Sequence, residues 1–453
     1  FFDEQEFAIG HGVSATWTLE EDRSCREVRT DWIPISEVFK ASADIESLAD
    51  SQIFELKTLA DASRKEEILS GLRDLADGYE NWIASVRRSI SNRWLEESSD
   101  VRSRLSEAAD RNLSACDAQL LRLRACLSDF SSDSLPHMWE AFCLANQAMR
   151  SSMLRGQGDA NEPRWRPFQL AFLLISLRST LDSKHEDRSI LDLIWFPTGG
   201  GKTEAYLGLT CATIFYRRLS DPQASFYGTT VITRYTLRLL TLQQFERTAR
   251  VIFACEVLRR GSGGKLGAEP ISIGLYAGRD ATPNKIVDAA SLIASGAADD
   301  SSTTLPIDSC PWCSSKEEKT NLGLHNQSIV EERVLTFCPN TDCAFHDGMP
   351  FWCVDDEIYK NPPTFLIGTV DKFAQLTWEP RSSALLGGGA SKSLPPSLII
   401  QDELHLISDS LGSMTGLFET AIDLICEARG AKPKIVGSTA TIKRAEDQCK
   451  QLF

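Results

Sequence analysis

The sequence predicts an α/β fold in which a doubly wound parallel sheet begins at about residue 162. Six apolar runs have the length of buried strands, and stretches with helical spacing of apolar residues lie between them. The six predicted strands are 191–197, 229–234, 271–276, 364–369, 397–402 and 433–438. Because helical crossovers join parallel strands, these strands should all end on the same edge of the sheet. Ligands bind such sheets at that edge, outside the carboxyl ends of the strands.

The first predicted strand leads into a loop that contains three consecutive glycines. Glycine lets backbone N–H groups turn inward around phosphate oxygens. Lys202 can then reach the β- and γ-phosphates of a nucleotide, and the hydroxyl of Thr203 can ligate Mg²⁺. The helical spacing of residues 204–218 adds the positive end of a helix. The loop therefore predicts a site for nucleotide phosphates, and a glycine-rich turn that binds nothing is the alternative.

A second, independent signal is an acidic pair at the end of the fifth predicted strand. Four apolar or amide residues precede Asp402 and Glu403, and His405 follows two positions later. In a parallel sheet this strand end lies beside the phosphate loop. Asp402 is therefore a candidate ligand of Mg²⁺, and Glu403 is the candidate base that polarises the attacking water. The alternatives are a solvated acidic pair and a histidine that only fills the core. Together, the loop and the acidic pair predict a nucleoside-triphosphate hydrolase.

The sequence before the loop suggests how the base of the nucleotide is recognised. Phe168 and Gln169 follow a Trp-Arg-Pro segment some thirty residues before the loop. The side-chain amide of Gln169 can pair with N6 and N7 of adenine, and Phe168 can pack near the base. An ordinary helix start is the alternative for this segment. The candidate nucleotide-binding residues are Phe168, Gln169, Thr198, Gly199, Gly200, Gly201, Lys202, Thr203 and Glu204.

Three other strand ends offer hydroxyl groups or cations. Arg234 ends the second predicted strand, Thr369 and Lys372 follow the fourth, and Thr439 and Thr441 follow the sixth. Side chains of these types contact the phosphates and sugars of nucleic acids. We therefore expect these five residues to bind a nucleic-acid backbone. For the last pair, a turn of small residues after a core strand is the alternative.

The order of these motifs resembles that of the superfamily 2 helicases, in which Pro-Thr-Gly-x-Gly-Lys-Thr is a common phosphate loop. Four segments resemble the DrmA family more narrowly, namely 196–207, 234–240, 368–373 and 401–405. DrmA proteins are the helicase-domain proteins of DISARM, a bacterial anti-phage defence system. The resemblance covers roughly residues 160 to 453 and is weaker in the N-terminal third. It implies a RecA-like first helicase lobe with a P-loop, action on DNA, and a partner protein similar to DrmB.

The net charge of −15 does not by itself favour a nucleic-acid partner, but the charge is unevenly distributed. Residues 1–160 have a net charge of −11, and residues 161–453 have a net charge of −4. Within the second part, residues 231–260 contain six arginines and two glutamates. Because phosphate contacts are local, a basic segment on an acidic protein is sufficient for DNA binding. A solvated basic helix face is the alternative.

The chain is expected to have an N-terminal region, a sheet domain and an insertion. Residues 1–158 should be mostly helical, because apolar residues recur there at spacings of three and four. No chemistry is visible in this region, which therefore predicts a scaffold or a docking site for a partner, with a DNA-facing role as the alternative. A linker is expected at 156–159 and the RecA-like lobe at 159–453, with mobile loops at 261–264 and 296–303.

Two close cysteine pairs predict a zinc site in an insertion at residues 305–355. Twenty-four residues separate the two pairs, and each pair can present two thiolates to one ion. The candidate ligands are Cys310, Cys313, Cys338 and Cys343. Four thiolates close the coordination sphere, so the expected role is structural and the module similar to a zinc ribbon. Nearby alternative ligands are His346 and Cys353, and reduced cysteines or an iron–sulfur cluster are the alternative interpretations.

Cysteine usage and hydropathy indicate the setting of the protein. Thirteen cysteines in a nucleotide-dependent protein favour reduced thiols and a cytoplasmic location. No apolar run reaches eighteen residues, so no membrane span is expected. The first residue is not Met, which predicts a fragment boundary. No further motif follows residue 441, so the second RecA-like lobe of superfamily 2 motors is expected to be absent from this chain.

Three functions are compatible with the sequence. The first is an ATP-dependent DNA helicase or translocase subunit for phage defence. The second is a DNA-binding scaffold that uses ATP as a conformational switch without separating strands. The third is a P-loop ATPase that does not act on nucleic acid. The motifs and the family resemblance favour the first.

Overall fold

The computed structural model describes most of the chain, with gaps in loops and near the N-terminus. The described residues are 7–8, 13–21, 24–30, 45, 48, 50–90, 94, 98–132, 134–157, 161–196, 199–222, 228–236, 238–278, 282–295, 309–315, 327–330, 333–388, 394–440 and 445–453. The chain divides into two compact units at residue 42. Of the sequence predictions, the loop at 296–303, the second half of the 156–159 linker, Thr198 and Thr441 lie outside the described residues.

The first unit contains a two-stranded antiparallel hairpin. Its strands are β1 (Ala15–Leu19) and β2 (Cys25–Thr30), and their pairing register shifts between Thr18 and Leu19. This hairpin differs from the helical structure expected for residues 1–158. The cause is local composition, because alternating β-branched and aromatic residues favour a pleated strand over a helix.

The second unit contains the helices and the main sheet. The helices before the sheet are α1 (Leu56–Leu59), α2 (Lys65–Ile90), α3 (Ser99–Ser132), α4 (Met138–Gln157) and α5 (Pro167–Leu181). The strands of the main sheet are β3 (Asp192–Trp195), β4 (Val231–Tyr235), β5 (Ile273–Tyr276), β8 (Phe351–Trp352), β9 (Phe365–Thr369), β10 (Leu398–Gln401) and β11 (Lys434–Thr439). Their accompanying helices are α6 (Lys202–Ser220), α7 (Arg238–Gly261), α8 (Ile286–Ser295), α9 (Asp355–Lys360), α10 (Val370–Phe373), α11 (Asp409–Ala428) and α12 (Ala445–Leu452). A second hairpin is formed by β6 (Gln327–Val330) and β7 (Arg333–Thr336).

The main sheet has seven parallel strands in the order β3-β11-β10-β4-β9-β5-β8. The predicted doubly wound α/β fold is confirmed, and each of the six predicted strands corresponds to an observed one. The seventh strand, β8, is only two residues long and was not predicted, because so short a run has no usable periodicity. The strands that precede the glycine loop, the acidic pair and Thr439 are adjacent in the sheet as β3, β10 and β11. Their carboxyl ends therefore meet at one edge.

Apolar side chains of each strand alternate between the two faces of the sheet. Leu398 and Ile400 of β10 belong to one hydrophobic core, and Ile399 between them belongs to the other. This alternation follows from the two-residue period of a strand. The first core also contains side chains of α2, α3, α4, α6 and α7, so the helical region packs on one face of the sheet. The second core contains side chains of α9, α10, α11 and α12.

Local sequence explains the N-terminal helices. Helix α2 is amphipathic, and its buried residues are Ile68, Leu69, Leu72, Ala76 and Ile83. This spacing places them on one stripe of the helix, which packs against α3. Helix α4 packs against α6 and α7, which makes it the closest link between the helical region and the sheet domain. No helix among the described residues has both the length and the apolar character needed to cross a bilayer.

Candidate nucleotide site and cysteine cluster

The glycine loop connects the end of β3 directly to the start of α6. Gly199 and Gly201 have φ angles of +80° and +87°, a region that residues with a Cβ atom avoid. Gly201 is the residue before the first helical turn, so the backbone N–H groups of Lys202 and Thr203 lie at the N-terminus of α6. A helix start of this kind attracts anions. Thr198 lies outside the described residues.

Two side chains at the start of α5 hold the carbonyl groups of this loop. Nη1 of Arg166 donates to the carbonyl of Gly200 over 2.7 Å, and Nε2 of Gln169 donates to the carbonyl of Gly201 over 2.7 Å. Oε1 of Gln169 accepts from the backbone N–H of Arg166 over 2.8 Å. Both ends of the Gln169 amide are therefore bound to protein, and the side chain is almost fully buried. In this structure Gln169 binds the loop and the start of α5, and each end of its amide has a protein partner.

Phe168, the other residue predicted to lie near the base, packs on the ring of Phe196. The two rings are parallel within 5° and their centroids are 4.2 Å apart. Phe196 occupies the position of the first glycine in the wider phosphate-loop pattern. Phenylalanine at this position has a packing role that glycine could not have. By stacking on Phe168, Phe196 joins the start of the loop to the start of α5. Both rings remain partly exposed.

Lys202 and Glu403 bring a cation and a carboxylate to the same region of the candidate site. Nζ of Lys202 donates to the carbonyl of Phe196 over 2.7 Å, so the ammonium group folds back across the loop. Burial and the charge of Asp402 raise the pKa of the Glu403 carboxyl, and the charges of His405 and Lys202 lower it. The ammonium group of Lys202 is therefore close enough to influence Glu403. The structure brings together the basic and acidic groups that the two motifs contribute.

Asp402 is buried and bound through both carboxylate oxygens. Oδ2 accepts from the hydroxyl of Tyr206 over 2.7 Å, and Oδ1 accepts from the backbone N–H of Glu403 over 2.9 Å. The hydroxyls of Tyr206 and Tyr235 are 2.9 Å apart, and the Thr203 side chain also hydrogen-bonds to Tyr206. Burial and the charge of Asp402 raise the pKa of both tyrosines well above the usual value. Both tyrosines are therefore protonated at neutral pH.

Glu403 and His405 lie in a strained turn between the end of β10 and the start of α11. Glu403 has a φ angle of +48°, which is uncommon for a residue with a side chain and is found mainly at functional sites. Nδ1 of His405 lies 3.4 Å from Oε2 of Glu403 and 3.3 Å from the hydroxyl of Thr439. His405 thus joins the acidic pair to the end of β11. Its side chain is about one-third exposed.

The structure buries the residues predicted to contact nucleic acid. The four described candidates are all buried, and Thr441 lies outside the described residues. They are Arg234, Thr369, Lys372 and Thr439. Arg234 forms an ion pair with Glu419 of α11, and Nζ of Lys372 lies 2.6 Å from Oδ2 of Asp355. Each cation is neutralised by a carboxylate within the fold, so neither is available to a phosphate in this structure.

The basic segment at residues 231–260 is also engaged internally. Arg247 pairs with Glu204 of α6, next to the glycine loop. Arg250 donates to the carbonyl of Pro311 over 2.9 Å, and Arg260 donates to the carbonyl of Ala344 over 2.6 Å. Both carbonyls belong to the insertion that contains the cysteine pairs. This segment therefore helps to hold the insertion against the sheet domain. This role differs from both interpretations of its sequence, DNA binding and a solvated basic helix face.

The two cysteine pairs converge as predicted. The Sγ atoms of Cys310, Cys313, Cys338 and Cys343 all lie within 4.8 Å of one another. Cys310 is 3.9 Å from Cys343, and Cys313 is 3.4 Å from Cys338. A tetrahedral zinc ion with bonds of about 2.3 Å requires sulfur atoms roughly 3.8 Å apart, so the cluster fits zinc. His346 and Cys353 are not part of the cluster, and Nδ1 of His346 lies 2.8 Å from the carbonyl of Cys338.

Aromatic residues of the insertion pack against α4 and α7. The guanidinium of Arg155 in α4 lies 3.9 Å from the ring centroid of Trp312, which stands between the first two cysteines. The ring of Phe345 packs edge-on against Trp312 and lies 4.5 Å from Phe253 of α7. The cysteine cluster therefore fixes a surface that binds both the helical region and the sheet domain.

Three residues that lie at the candidate nucleotide site were not identified from the sequence. Arg166 was quoted only as part of the segment before α5, and neither Tyr206 nor Tyr235 was singled out. Tyr206 follows Thr203 by three positions in a helix, and residues at this spacing share one face. This spacing from Thr203 is the sequence feature that could have identified Tyr206 as a residue of the site. Tyr235 reaches the site because β4 lies beside β10, which is a tertiary relationship.

The chain is similar to a curated protein and to several solved structures. The chain is 33% identical to DISARM protein DrmA of Bacillus paralicheniformis over an alignment of 513 residues, which spans 99% of this chain and 44% of that protein. The alignment includes the N-terminal region, and the chain spans less than half the length of this relative. No protein-family model matches the chain.

Two of the similar solved structures are helicases. The crystal structure of the DUF1998 helicase MrfA is 13% identical, covers 67% of this chain and 31% of its own, and has a TM-score of 0.35. The structure of Mycobacterium smegmatis helicase Lhr bound to ssDNA and AMP-PNP is 17% identical, covers 67% of this chain and 26% of its own, and also has a TM-score of 0.35.

Proposed function

The chain is a relative of DISARM protein DrmA, as its motifs predict, and from this relationship we propose that it is the ATP-hydrolysing part of a DNA-acting anti-phage defence protein. The observation that supports the proposal most is the meeting of the glycine loop with Asp402 and Glu403 at one edge of the sheet. These groups are about two hundred residues apart in sequence. Their convergence gives one site a phosphate-binding helix start, a cation and two carboxylates.

The loop residues would bind the phosphates of ATP. The backbone N–H groups of Gly199, Gly200 and Gly201 and the N-terminus of α6 attract the phosphate oxygens. Lys202 would exchange its hydrogen bond with the Phe196 carbonyl for one with a phosphate. The contacts of Arg166 and Gln169 with the loop carbonyls support this geometry. They hold the carbonyl oxygens away from the phosphates, so the N–H groups of the same peptides can face the phosphates.

Thr203 and Asp402 would hold Mg²⁺, since both side chains reach the same buried tyrosine hydroxyl and offer oxygen atoms. The ion supplies charge neutralisation for the phosphates when it is bound. Glu403 would accept a proton from the attacking water. Its raised pKa suits this role, because a base is most effective when its pKa lies nearer to the working pH.

His405 would transmit the state of the nucleotide site to β11. Its ring contacts the carboxylate of Glu403 on one side and the hydroxyl of Thr439 on the other. A movement of Glu403 towards water or phosphate would therefore alter the hydrogen bond to Thr439. This arrangement supports a coupling between ATP hydrolysis and the surface beyond the end of β11.

The DNA and partner roles rest on the relationship to DrmA. A DNA-acting ATPase of this kind would work with a DrmB-like partner and with a second RecA-like lobe. The burial of Arg234 and Lys372 favours a second candidate function, a P-loop ATPase that does not contact nucleic acid through these strand ends. The cysteine cluster would hold one structural zinc ion, because its four sulfur atoms leave no open position.

The test is ATP turnover by the full-length protein with no nucleic acid, with single-stranded DNA and with double-stranded DNA. Glu403→Gln should bind ATP and lose roughly 10²- to 10⁴-fold of its turnover, the range that a general base contributes. Glu446→Gln changes an exposed carboxylate of α12 and should keep parental turnover. Stimulation of turnover by DNA supports the DNA-acting ATPase. Turnover that is independent of DNA supports the P-loop ATPase that does not contact nucleic acid through these strand ends.

Two outcomes would contradict the proposal. Parental turnover in Glu403→Gln would place the base elsewhere. A full-length protein that neither binds nor hydrolyses ATP would exclude a nucleotide-driven function altogether.

A further inference from the structure

Two buried tyrosines stand beside Asp402, and the proposed chemistry gives them no role. Tyr206 and Tyr235 are each 1% exposed. Tyr206 lies in the second turn of α6, and Tyr235 is the last residue of β4. Their hydroxyls are 2.9 Å apart, and the Tyr206 hydroxyl is 2.7 Å from Oδ2 of Asp402.

The hydrogen-bonding capacity of these groups defines the direction of the network. A tyrosine hydroxyl donates one hydrogen bond and accepts two, whereas an ionised carboxylate only accepts. Tyr206 therefore donates to Asp402, and its oxygen can accept from Tyr235 and from Thr203. Since Oδ1 of Asp402 accepts from the backbone N–H of Glu403, both carboxylate oxygens are oriented by named donors.

Tyr206 is thus bonded to residues from both ends of the candidate metal site. Thr203 precedes it by three positions on the same face of α6, and Asp402 follows β10. We propose that Tyr206 is a positioning residue that holds Asp402 against Thr203 for Mg²⁺ binding, and that Tyr235 orients the Tyr206 hydroxyl. This inference rests on the proposed ATP-hydrolysing function. Tyr206 itself does not contact the reacting groups.

The position of Tyr235 adds a connection to a second strand. Tyr235 directly follows Arg234, whose carbonyl accepts from the backbone N–H of Asp402 over 3.0 Å. A shift at the end of β4 therefore reaches Asp402 both through the backbone and through the tyrosine hydroxyls. The metal-holding carboxylate is accordingly coupled to β4 as well as to the phosphate loop.

The test compares three variants that each remove one hydroxyl and keep the aromatic ring. They are Tyr206→Phe, Tyr235→Phe and, as a control, Tyr216→Phe, which alters a partly buried tyrosine of the same helix whose hydroxyl neighbour is Ser220. The first measurement is the affinity of the chain for Mn²⁺ in the presence of a non-hydrolysable ATP analogue, followed by electron paramagnetic resonance. The second is the affinity for the analogue in EDTA, and the third is the thermal midpoint.

Tyr206→Phe should weaken Mn²⁺ affinity roughly 10- to 100-fold, the usual effect of removing a group that orients a metal ligand. Tyr235→Phe should weaken it less, and affinity for the analogue without metal should be unchanged in both variants. Mn²⁺ affinity in Tyr206→Phe equal to that of Tyr216→Phe would overturn the proposal, and so would equal losses with and without metal. A parent chain that binds no analogue would instead show that the proposed function itself is wrong, and the role of Tyr206 would be rejected with it.

Discussion

Arg234 and Glu419 form an ion pair that is almost completely enclosed between β4 and α11. Arg234 is fully buried and Glu419 is 5% exposed, and the Arg234 guanidinium also lies 5.8 Å from the ring centroid of Phe373. The partners are 185 residues apart in sequence. The pair connects the strand that ends beside Asp402 to the helix that follows the acidic pair, so its role in this structure is to hold the site together.

Removal of one partner should therefore destabilise the fold. Arg234→Ala leaves the Glu419 carboxylate buried without its cation, and breaking a buried pair in this way costs about 3–5 kcal/mol of unfolding free energy. The double variant Arg234→Met/Glu419→Leu should recover most of this loss, because it leaves no buried charge. Urea unfolding measures both. A stable Arg234→Ala variant whose only defect is weaker DNA binding would contradict the structural role of the buried pair. It would support the prediction that Arg234 contacts a phosphate of DNA.

A pair of glycine substitutions tests how Gln169 supports the phosphate loop. Gly201 and Gly199 both have positive φ angles, so alanine strains the backbone at either position. A Cβ atom at Gly201 would lie 2.6 Å from Nε2 of Gln169, whereas a Cβ atom at Gly199 meets no described atom within 4 Å. Gly201→Ala should therefore lose more ATP affinity than Gly199→Ala. Equal losses in a fluorescent-nucleotide titration would mean that only backbone strain matters.

Lys202→Ala should weaken ATP binding roughly 10- to 100-fold, since a charge-assisted hydrogen bond to a phosphate is lost. The thermal midpoint without nucleotide should fall little, because the lysine contributes one hydrogen bond to the Phe196 carbonyl and no core packing. Isothermal titration and thermal melting give the two values. If Lys202→Ala kept the parental ATP affinity, the glycine loop would not be the phosphate-binding site.

The cysteine cluster should contain about one zinc ion per chain in protein purified without chelators. Cys310→Ser should lower this content and the thermal midpoint, because zinc binding contributes directly to folding. Cys449→Ser, which alters a cysteine of α12 outside the cluster, should retain the zinc. Metal analysis by mass spectrometry decides the matter. Metal-free parent protein of normal stability would support the interpretation as reduced cysteines.

Glu357 should make the stability of the sheet domain depend on pH near neutrality. Burial raises the pKa of this carboxyl from 4.5 to about 7, although Arg333 opposes the shift, and Cys353 is the other titratable group that interacts with it. A raised pKa favours the folded state at low pH, and this advantage is lost as the pH rises through 7. Relative to Glu357→Gln, the parent should gain roughly 2–3 kcal/mol of unfolding free energy between pH 8 and pH 5.

Glu379→Gln serves as a control of opposite sign. A hydrogen bond from Arg381 holds the pKa of Glu379 below its usual value, so its contribution is lost as the pH falls. Urea unfolding at pH 5, 6.5 and 8 measures the unfolding free energy of the parent and of each variant. It therefore distinguishes the pH dependence of the Glu357 contribution from that of the Glu379 contribution. A parent-minus-variant difference for Glu357 that does not change with pH would mean that Glu357 stays ionised in the folded protein.

The fold and the candidate site differ in how much of them the sequence could predict. Six of the seven strands of the main sheet, the glycine loop, the acidic pair and the cysteine pairs are contiguous patterns, and each was recognised from residues adjacent in the chain. The hairpin at β1 and β2 and the two-residue strand β8 were not recognised. Short elements of this kind depend on pairing with distant segments more than on their own periodicity.

The sequence by itself determined which chemical groups this protein has and which strand ends present them, because a motif fixes residue type and local backbone together. Only the tertiary structure decided which of these groups are exposed. Arg234 and Lys372 have the charge expected of phosphate contacts, but Glu419 and Asp355 neutralise them inside the fold. The partners come from other elements, and a buried charge is tolerated only when such a partner is present. Exposure therefore depends on packing between distant segments, which no local pattern specifies.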